Sequence, residues 1–448
     1  MKVLLLVLFT VVGVNDSFSQ SFEECMEKGK ALDYESKYAE AIKEFSRAIE
    51  LKRNSEEAYL CRGKAKLSQH ELQGATDDFN KLIQINPYNS NGYFWLSFIL
   101  IIYKQSEYEK AIELLGKAIA NNPKKSIYYS YRGLASYYID KYADAVKDYS
   151  RAILLDSMDA ECYFIRGTCY NLIGEYKLAE NDYKNALSVN KINNKTYVSN
   201  SEIFSKLAKL KSKAHAYSEA ISYLDSAILN DPNNYKLYTQ KAITYGLMDK
   251  NKESVDAFDI SLKINKNDAD VYYLRGRIKF KSDDYAGAIE DFTSALVIDS
   301  ANEKYFTYRG KAKYFIDDFN GAIVDFNMAI KFDSSNSESY LFRALSRQAI
   351  NDSTAMDDFN QSISIDSTDA PAFIFRGGLK EKNMDYNGAV SDYDKAILIN
   401  PKVGIGYYKR GMARILYLDL KESGCTDLYM AGALGYEDAL DEIETYCK

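Results

Sequence analysis

Histidine is almost missing from this chain: its 448 residues include two, His70 and His215, far apart and each alone. No zinc signature can be built from them, and no P-loop, dinucleotide fingerprint or nucleophile elbow is present. Carboxylates abound, but without a pocket they read as solvated helix faces rather than acid–base pairs. The chain is therefore expected to be non-enzymatic, with no cofactor and no metal. It also lacks a basic excess. Lys and Arg total 57 against 64 Asp and Glu, a net charge of −7, which argues against nonspecific nucleic-acid binding. Long apolar runs are missing beyond the first residues. The richest internal one, YFWLSFILIIYK at Tyr93–Lys104, is too short to cross a bilayer, so no transmembrane span is expected in the mature chain. A helix apolar all round is instead buried on more than one side.

What the chain has in plenty is tyrosine, 39 against 21 phenylalanines, and a period. Val271–Asn302 reads as a helix, a short polar turn and a second helix, and its wording returns in Phe306–Asn336. Gly276 and Gly310 are 34 residues apart, as are Gly29 and Gly63, Gly133 and Gly167, and Gly377 and Gly411. A fixed period of this size marks an array of stacked supersecondary units. Each unit carries a ladder of small and aromatic residues, such as Gly29-Ala41-Phe45-Ala48, Gly133-Ala145-Tyr149-Ala152, Gly276-Ala288-Phe292-Ala295 and Gly377-Ala389-Tyr393-Ala396. Weaker copies begin at Gly63, Ile99, Ala208, Ala242 and Ala344, and a last one at Gly411. The small residues let two helices approach, and the aromatic fills the gap between them.

These ladders resemble the tetratricopeptide repeat family. The resemblance implies an all-α, right-handed superhelical solenoid of about twelve helix-turn-helix units that binds a protein or peptide partner on its concave side. Repeats one to five take residues 21–191, a polar stretch without helical period takes 192–200, and repeats six to twelve take 201–435. Residues 436–448 form a helix with Glu437, Asp438, Asp441 and Glu442 on one side, suited to cap the open apolar end. Pro87, Pro123, Pro232 and Pro401 fall just past second helices, and Pro371 in a first turn. Repeats six and seven lack the glycine, and a bend between two sub-arrays is expected there.

The residue before the glycine position is Arg in eight repeats: Arg62, Arg132, Arg166, Arg275, Arg309, Arg343, Arg376 and Arg410. The residue before the second-helix aromatic is Asp in the same eight: Asp78, Asp148, Asp182, Asp291, Asp325, Asp358, Asp392 and Asp427. Repeat one has Lys28 and Glu44; repeats three and six lose both members together. Joint presence and joint loss predict a bridge between the two helices of one repeat. Arginines reserved for an acidic ligand would have no reason to vanish with an aspartate.

In the resembling family the first helices line the concave side, and helical spacing gives the positions they show there. In repeats three and four these include Tyr93, Leu96, Leu100, Tyr103, Ile127, Leu134, Tyr137 and Tyr138, an apolar and aromatic patch that marks an interaction site. A partner helix or peptide is expected to dock its apolar side there; a second reading has the repeat-three residues fill the interior. In repeats eight and nine the positions include Tyr273, Arg277, Phe280, Lys281, Lys304, Lys311, Tyr314 and Phe315, aromatic with a mostly positive rim, where acidic groups of a partner would fall. Exposed tyrosines facing the groove would alternatively suit a glycan-binding surface protein.

Met1–Ser19 reads as a secretory signal peptide: Lys2, an apolar Val3–Val14, and Ser17 and Ser19 before Gln20. The expected compartment is oxidising, a bacterial periplasm, cell envelope or beyond. There Cys425 and Cys447, equidistant from Tyr436 beside the Gly435 stop, come level in a helix hairpin and are expected to bridge. Cys162 and Cys169 are two turns apart on one helix, too far to pair. Intact-mass measurement of exported protein is expected to show a chain beginning at Gln20; a mass retaining Met1–Ser19 would refute export.

Overall fold

The structure, a computed structural model, describes residues 21–192 and 198–448. The expected signal peptide and most of the polar stretch at 192–200 lie outside these residues. Among the described residues the regular elements are all helical: twenty-five α-helices, with one π-helical turn at Leu100–Lys104. They run as twelve consecutive pairs, from Phe22–Tyr34 with Tyr38–Leu51 to Gly404–Tyr417 with Lys421–Ala433, followed by Asp438–Tyr446. The chain divides into two compact units, Met1–Leu210 and Lys211–Lys448. The division falls within the first helix of repeat six, Asn200–Lys213.

Repeat eight shows why the pairs form. Its first helix, Ala269–Lys281, starts at Asp268, whose carboxylate accepts from Val271 N–H. It stops at Asp283, which turns left-handed at φ 60°. The chain then doubles back, with Asp284 N–H donating to Lys279 O at 3.0 Å. Asp284 in turn caps the second helix, Tyr285–Ile298, by accepting from Gly287 N–H. Each of the twelve repeats places one left-handed residue at this turn; Gly174 is the glycine among them. Both histidines sit there, His70 at φ 61° and His215 at φ 57°. Their place is the turn, which accounts for their isolation in the sequence.

The two helices of a repeat meet where the ladder predicts. A Cβ on Gly276 would lie 2.8 Å from the Phe292 ring, and one on Gly310 2.8 Å from Phe326. A larger residue would have to push the ring out of a closed core. Where the glycine is lost the ring is lost too in repeats three and six, which bury Ile99 with Leu115 and Ala208 with Leu224.

The Arg–Asp bridge is present in all eight repeats, with closest N···O distances of 2.5–2.7 Å. In each, Nε and Nη2 grip both carboxylate oxygens. Lys28 and Glu44 do the same work in repeat one at 2.8 Å. Two further sets of contacts were not read from the sequence. Four residues past the arginine, a second cation reaches the same aspartate in six repeats, as Lys313 does to Asp325 at 2.8 Å. The arginine's Nη1 also reaches back to the second helix of the preceding repeat. It finds Ser46 from Arg62, Ser150 from Arg166, Asp259 from Arg275, Thr293 from Arg309, Asn327 from Arg343, Asn360 from Arg376 and Asp394 from Arg410. Lys241 makes the equivalent contact to Asp225.

At the end of the second unit a disulfide joins Cys425 to Cys447 with Cα atoms 5.6 Å apart. It fastens the last helix, whose Ala439 is buried, onto repeat twelve. Burial pushes the thiols of Cys162 and Cys169 up, Cys169 to about 12, so neither is a reactive thiolate.

Three substitutions test these contacts. Arg132→Met strands Asp148, which has no second cation among the described residues, and should cost about 3 kcal/mol. Arg309→Met should cost roughly half of that, because Lys313 still holds Asp325. Amide hydrogen exchange in repeats four and nine measures both; equal losses would refute the role given to the second cation. Cys447→Ser should weaken the cap by roughly 3 kcal/mol, seen as faster exchange across Asp438–Tyr446, while peptide mapping without reductant should recover Cys425 joined to Cys447.

Candidate functional site

The patch expected in repeats three and four is divided by the structure into buried and open halves. Leu100 does not reach the open face: it is 5% exposed, in one buried cluster with Phe94, Leu115 and Tyr128. Leu100 still follows Leu96 in α-helical phase, its N–H donating to Leu96 O, and it is covered by Tyr128 and Ala135 of repeat four. The π-helical turn, closed by Gln105 N–H donating to Leu100 O at 3.0 Å, shifts only the residues that follow it. Tyr93 and Leu134 pack half-buried against the same cluster, and Leu96 against its neighbour around Phe79. Tyr137 is half-buried near Tyr149 and Cys169, and burial raises its phenol above the ordinary range.

The open half consists of Tyr103 and Tyr138, with Ile102 and Ile127. Tyr138 stacks on Tyr108 at 5.1 Å between centroids, and Tyr103 meets Phe98 edge-on at 6.3 Å. Beside Tyr103 lies a cavity of about 300 Å³ lined by Trp95, Phe98, Lys64 and Asp33 among others. Lys64 Nζ stands 5.7 Å over the Trp95 ring. The sequence reading missed this cavity. Its signal was Phe98 in the slot that holds Arg in eight other repeats, which turns a polar bridge into an aromatic wall.

In repeats eight and nine, within the second unit, the aromatic face is present but its charge is smaller than expected. Tyr273 packs against Tyr305 and Tyr308, at 5.2 and 5.5 Å, and burial pushes its phenol up to about 12. Phe280 meets Phe315 edge-on, and Tyr314 lies against Phe342. Lys311 is held by Glu338 at 2.6 Å, and Lys281 is paired with Asp249. Both carboxylates come from outside the first-helix positions used to draw the rim, so spacing along one helix could not show them. Lys304 stays exposed at the helix start. Arg277 lies over the faces of Tyr273 and Tyr308, at 5.6 and 5.4 Å. Among the described residues no carboxylate lies within ion-pair distance of it.

The arrangement offers aromatic faces, one caged guanidinium and shallow grooves along successive first helices. That is the chemistry of surface recognition.

The repeat pattern matches established descriptions. Residues 29–70 match the TPR repeat, and residues 132–190 and 269–302 match the tetratricopeptide repeat. A stretch of 102 residues is 33% identical to Hsp70-Hsp90 organizing protein 3 of Arabidopsis thaliana, covering 23% of this chain and 18% of that protein. Among solved structures, a tetratricopeptide repeat protein from Parabacteroides merdae is 17% identical, covering 56% of this chain and 99% of its own, with a TM-score of 0.46. The C-terminal part of a TPR repeat-containing protein from Cytophaga hutchinsonii is also 17% identical, covering 62% of this chain and 96% of its own, with a TM-score of 0.43. With its glycine–aromatic ladders and twelve packed helix pairs, the chain belongs to the tetratricopeptide repeat family.

Proposed function

We propose that this protein is a non-enzymatic scaffold, exported to the bacterial cell envelope, that holds a protein or peptide partner on its first-helix faces. One observation carries the reading. At the ends of the first helices of repeats three and four, Tyr103 and Tyr138 stay open to water with Ile102 and Ile127, while the bridges of the array turn its arginines and aspartates inward on each other. Large rings fixed at one end and bare on one face bind at low entropic cost. The partner docks an apolar helix side or extended segment across these rings and into the groove by Trp95. A second contact, in the other unit, is Arg277 on its two tyrosines, which suits an acidic side chain. Tetratricopeptide repeats mediate protein–protein interaction, which supports the partner class. Stacking of a sugar on Tyr103 or Tyr138 is the other reading that exposed rings favour.

The test uses peptides selected from a displayed library on the mature chain, and a glycan array in parallel. Tyr103→Ser with Tyr138→Ser should weaken a selected peptide at least tenfold without moving the thermal transition. Arg277→Glu should weaken acidic peptides and spare neutral ones. Leu100→Ser should instead lower the transition, as expected of a core residue, by about 2–5 kcal/mol of stability. Undiminished peptide binding by the tyrosine double variant would overturn the reading, and glycan binding lost in that variant would favour the sugar.

A further inference from the structure

Repeat four breaks the bridge pattern at one point. In the other seven arginine repeats Nη1 ends on a Ser, Thr, Asn or Asp oxygen of the preceding second helix. For Arg132 that position is Gly116, which offers no side chain. A Cβ built there would meet nothing within 4 Å. Beside Arg132 a cavity of about 290 Å³ opens, lined by Ile112 of the preceding second helix, Arg132, Ser136, Lys141, Asp144, Lys147 and Asp148. The Arg132 side chain is 28% exposed, against 14–19% for the other seven.

The second cation is missing here as well, since Ser136 stands where six repeats carry Lys or Arg. Asp148 is therefore balanced by Arg132 alone, and Asp144 by Lys147 at 2.8 Å. Lys141 adds a positive charge that helps hold Asp144 ionised but makes no ion pair within 4 Å among the described residues. Three cations and two carboxylates around the cavity leave it one positive charge in excess.

We propose that the cavity beside Arg132 is a binding site for a carboxylate supplied from outside the chain, received by the Nη1 of Arg132 that Gly116 leaves without an acceptor, with Lys141 at the rim. The other repeats show what this nitrogen takes. Arg275 and Arg410 donate from it to Asp259 and Asp394 while gripping their own aspartates. A second carboxylate on one guanidinium is thus an arrangement this fold already makes twice. The single excess charge suits a monoanion, and a dianionic phosphate would face Asp144 and Asp148. Arg132 points about 160° around its helix from Leu134, so the site does not depend on the first-helix face proposed above.

The probes are acetate and a blocked pentaglutamate peptide, with chloride-matched buffer, read by saturation-transfer NMR on the full mature chain. Transfer to the acetate methyl is expected in the wild type and in Gly116→Ala. It should fall at least tenfold in Gly116→Asp and in Gly116→Asn, which restore an internal acceptor like Asp259 or Asn327. Two substitutions keep the test valid if one perturbs the helix, and circular dichroism checks both. Displacement of acetate by pentaglutamate identifies the source as an acidic side chain of a partner; acetate binding without displacement identifies a free small carboxylate. No transfer above the chloride blank, or equal transfer in the wild type and the Gly116→Asp and Gly116→Asn variants, would overturn the site.

Discussion

A guanidinium held in three directions at once sets the register of this array. Two of its nitrogens take both oxygens of an aspartate on the partner helix, and the third reaches the repeat before. The aspartates are deeply buried, Asp325 at 1% side-chain exposure. A buried carboxylate is costly unless its geometry is satisfied, so the helices can meet at few angles or offsets other than the one that closes the bridge. Apolar packing alone tolerates slippage between similar ridges. The bridge does not, and the glycine-to-ring contact beside it sets how close the helices come.

The second unit uses this contact without interruption. From Asp225 in repeat six to Arg410 in repeat twelve, every junction between neighbouring repeats is crossed by a cation reaching back. The first unit is different. Repeat three replaces bridge and ring with Phe98, Ile99 and Leu115, and it also has Gly116 where the Arg132 of repeat four would find an acceptor. Within the first unit, the features that suit a ligand gather where the internal network lapses: the groove by Trp95, the open tyrosines and the Arg132 cavity. Side chains released from structural work are the ones left to meet something else.

Much of the fold was legible because it is repetitive. A glycine, a ring and two alanines at fixed spacing define the helix pair, and the joint loss of Arg and Asp in two repeats identified the bridge without coordinates. The backward contact escaped notice because its acceptor changes identity from Ser46 to Thr293 to Asn327 to Asp394; only the position is constant. The candidate face was partly misdrawn for two physical reasons. Leu100 left it because Tyr128 and Ala135 of the next repeat cover it, and no single residue of an apolar run announces that. Lys281 and Lys311 lost their free charge to Asp249 and Glu338, carboxylates that arrive from other turns and other repeats.

The bridge has a direction along the chain. In seven of the eight bridges the arginine's backward acceptor lies sixteen residues before it and, in most repeats, its aspartate sixteen residues after. A chain that emerges from its N-terminus, whether from a ribosome or through a translocation pore, presents each of these seven arginines to an acceptor that is already outside. The missing half of each bridge is always the part still to come. Repeats can therefore close one after another onto a finished edge, with no guanidinium waiting for the far end of the molecule. The disulfide between Cys425 and Cys447 follows the same order, since both cysteines emerge after Arg410 and the bridges before it.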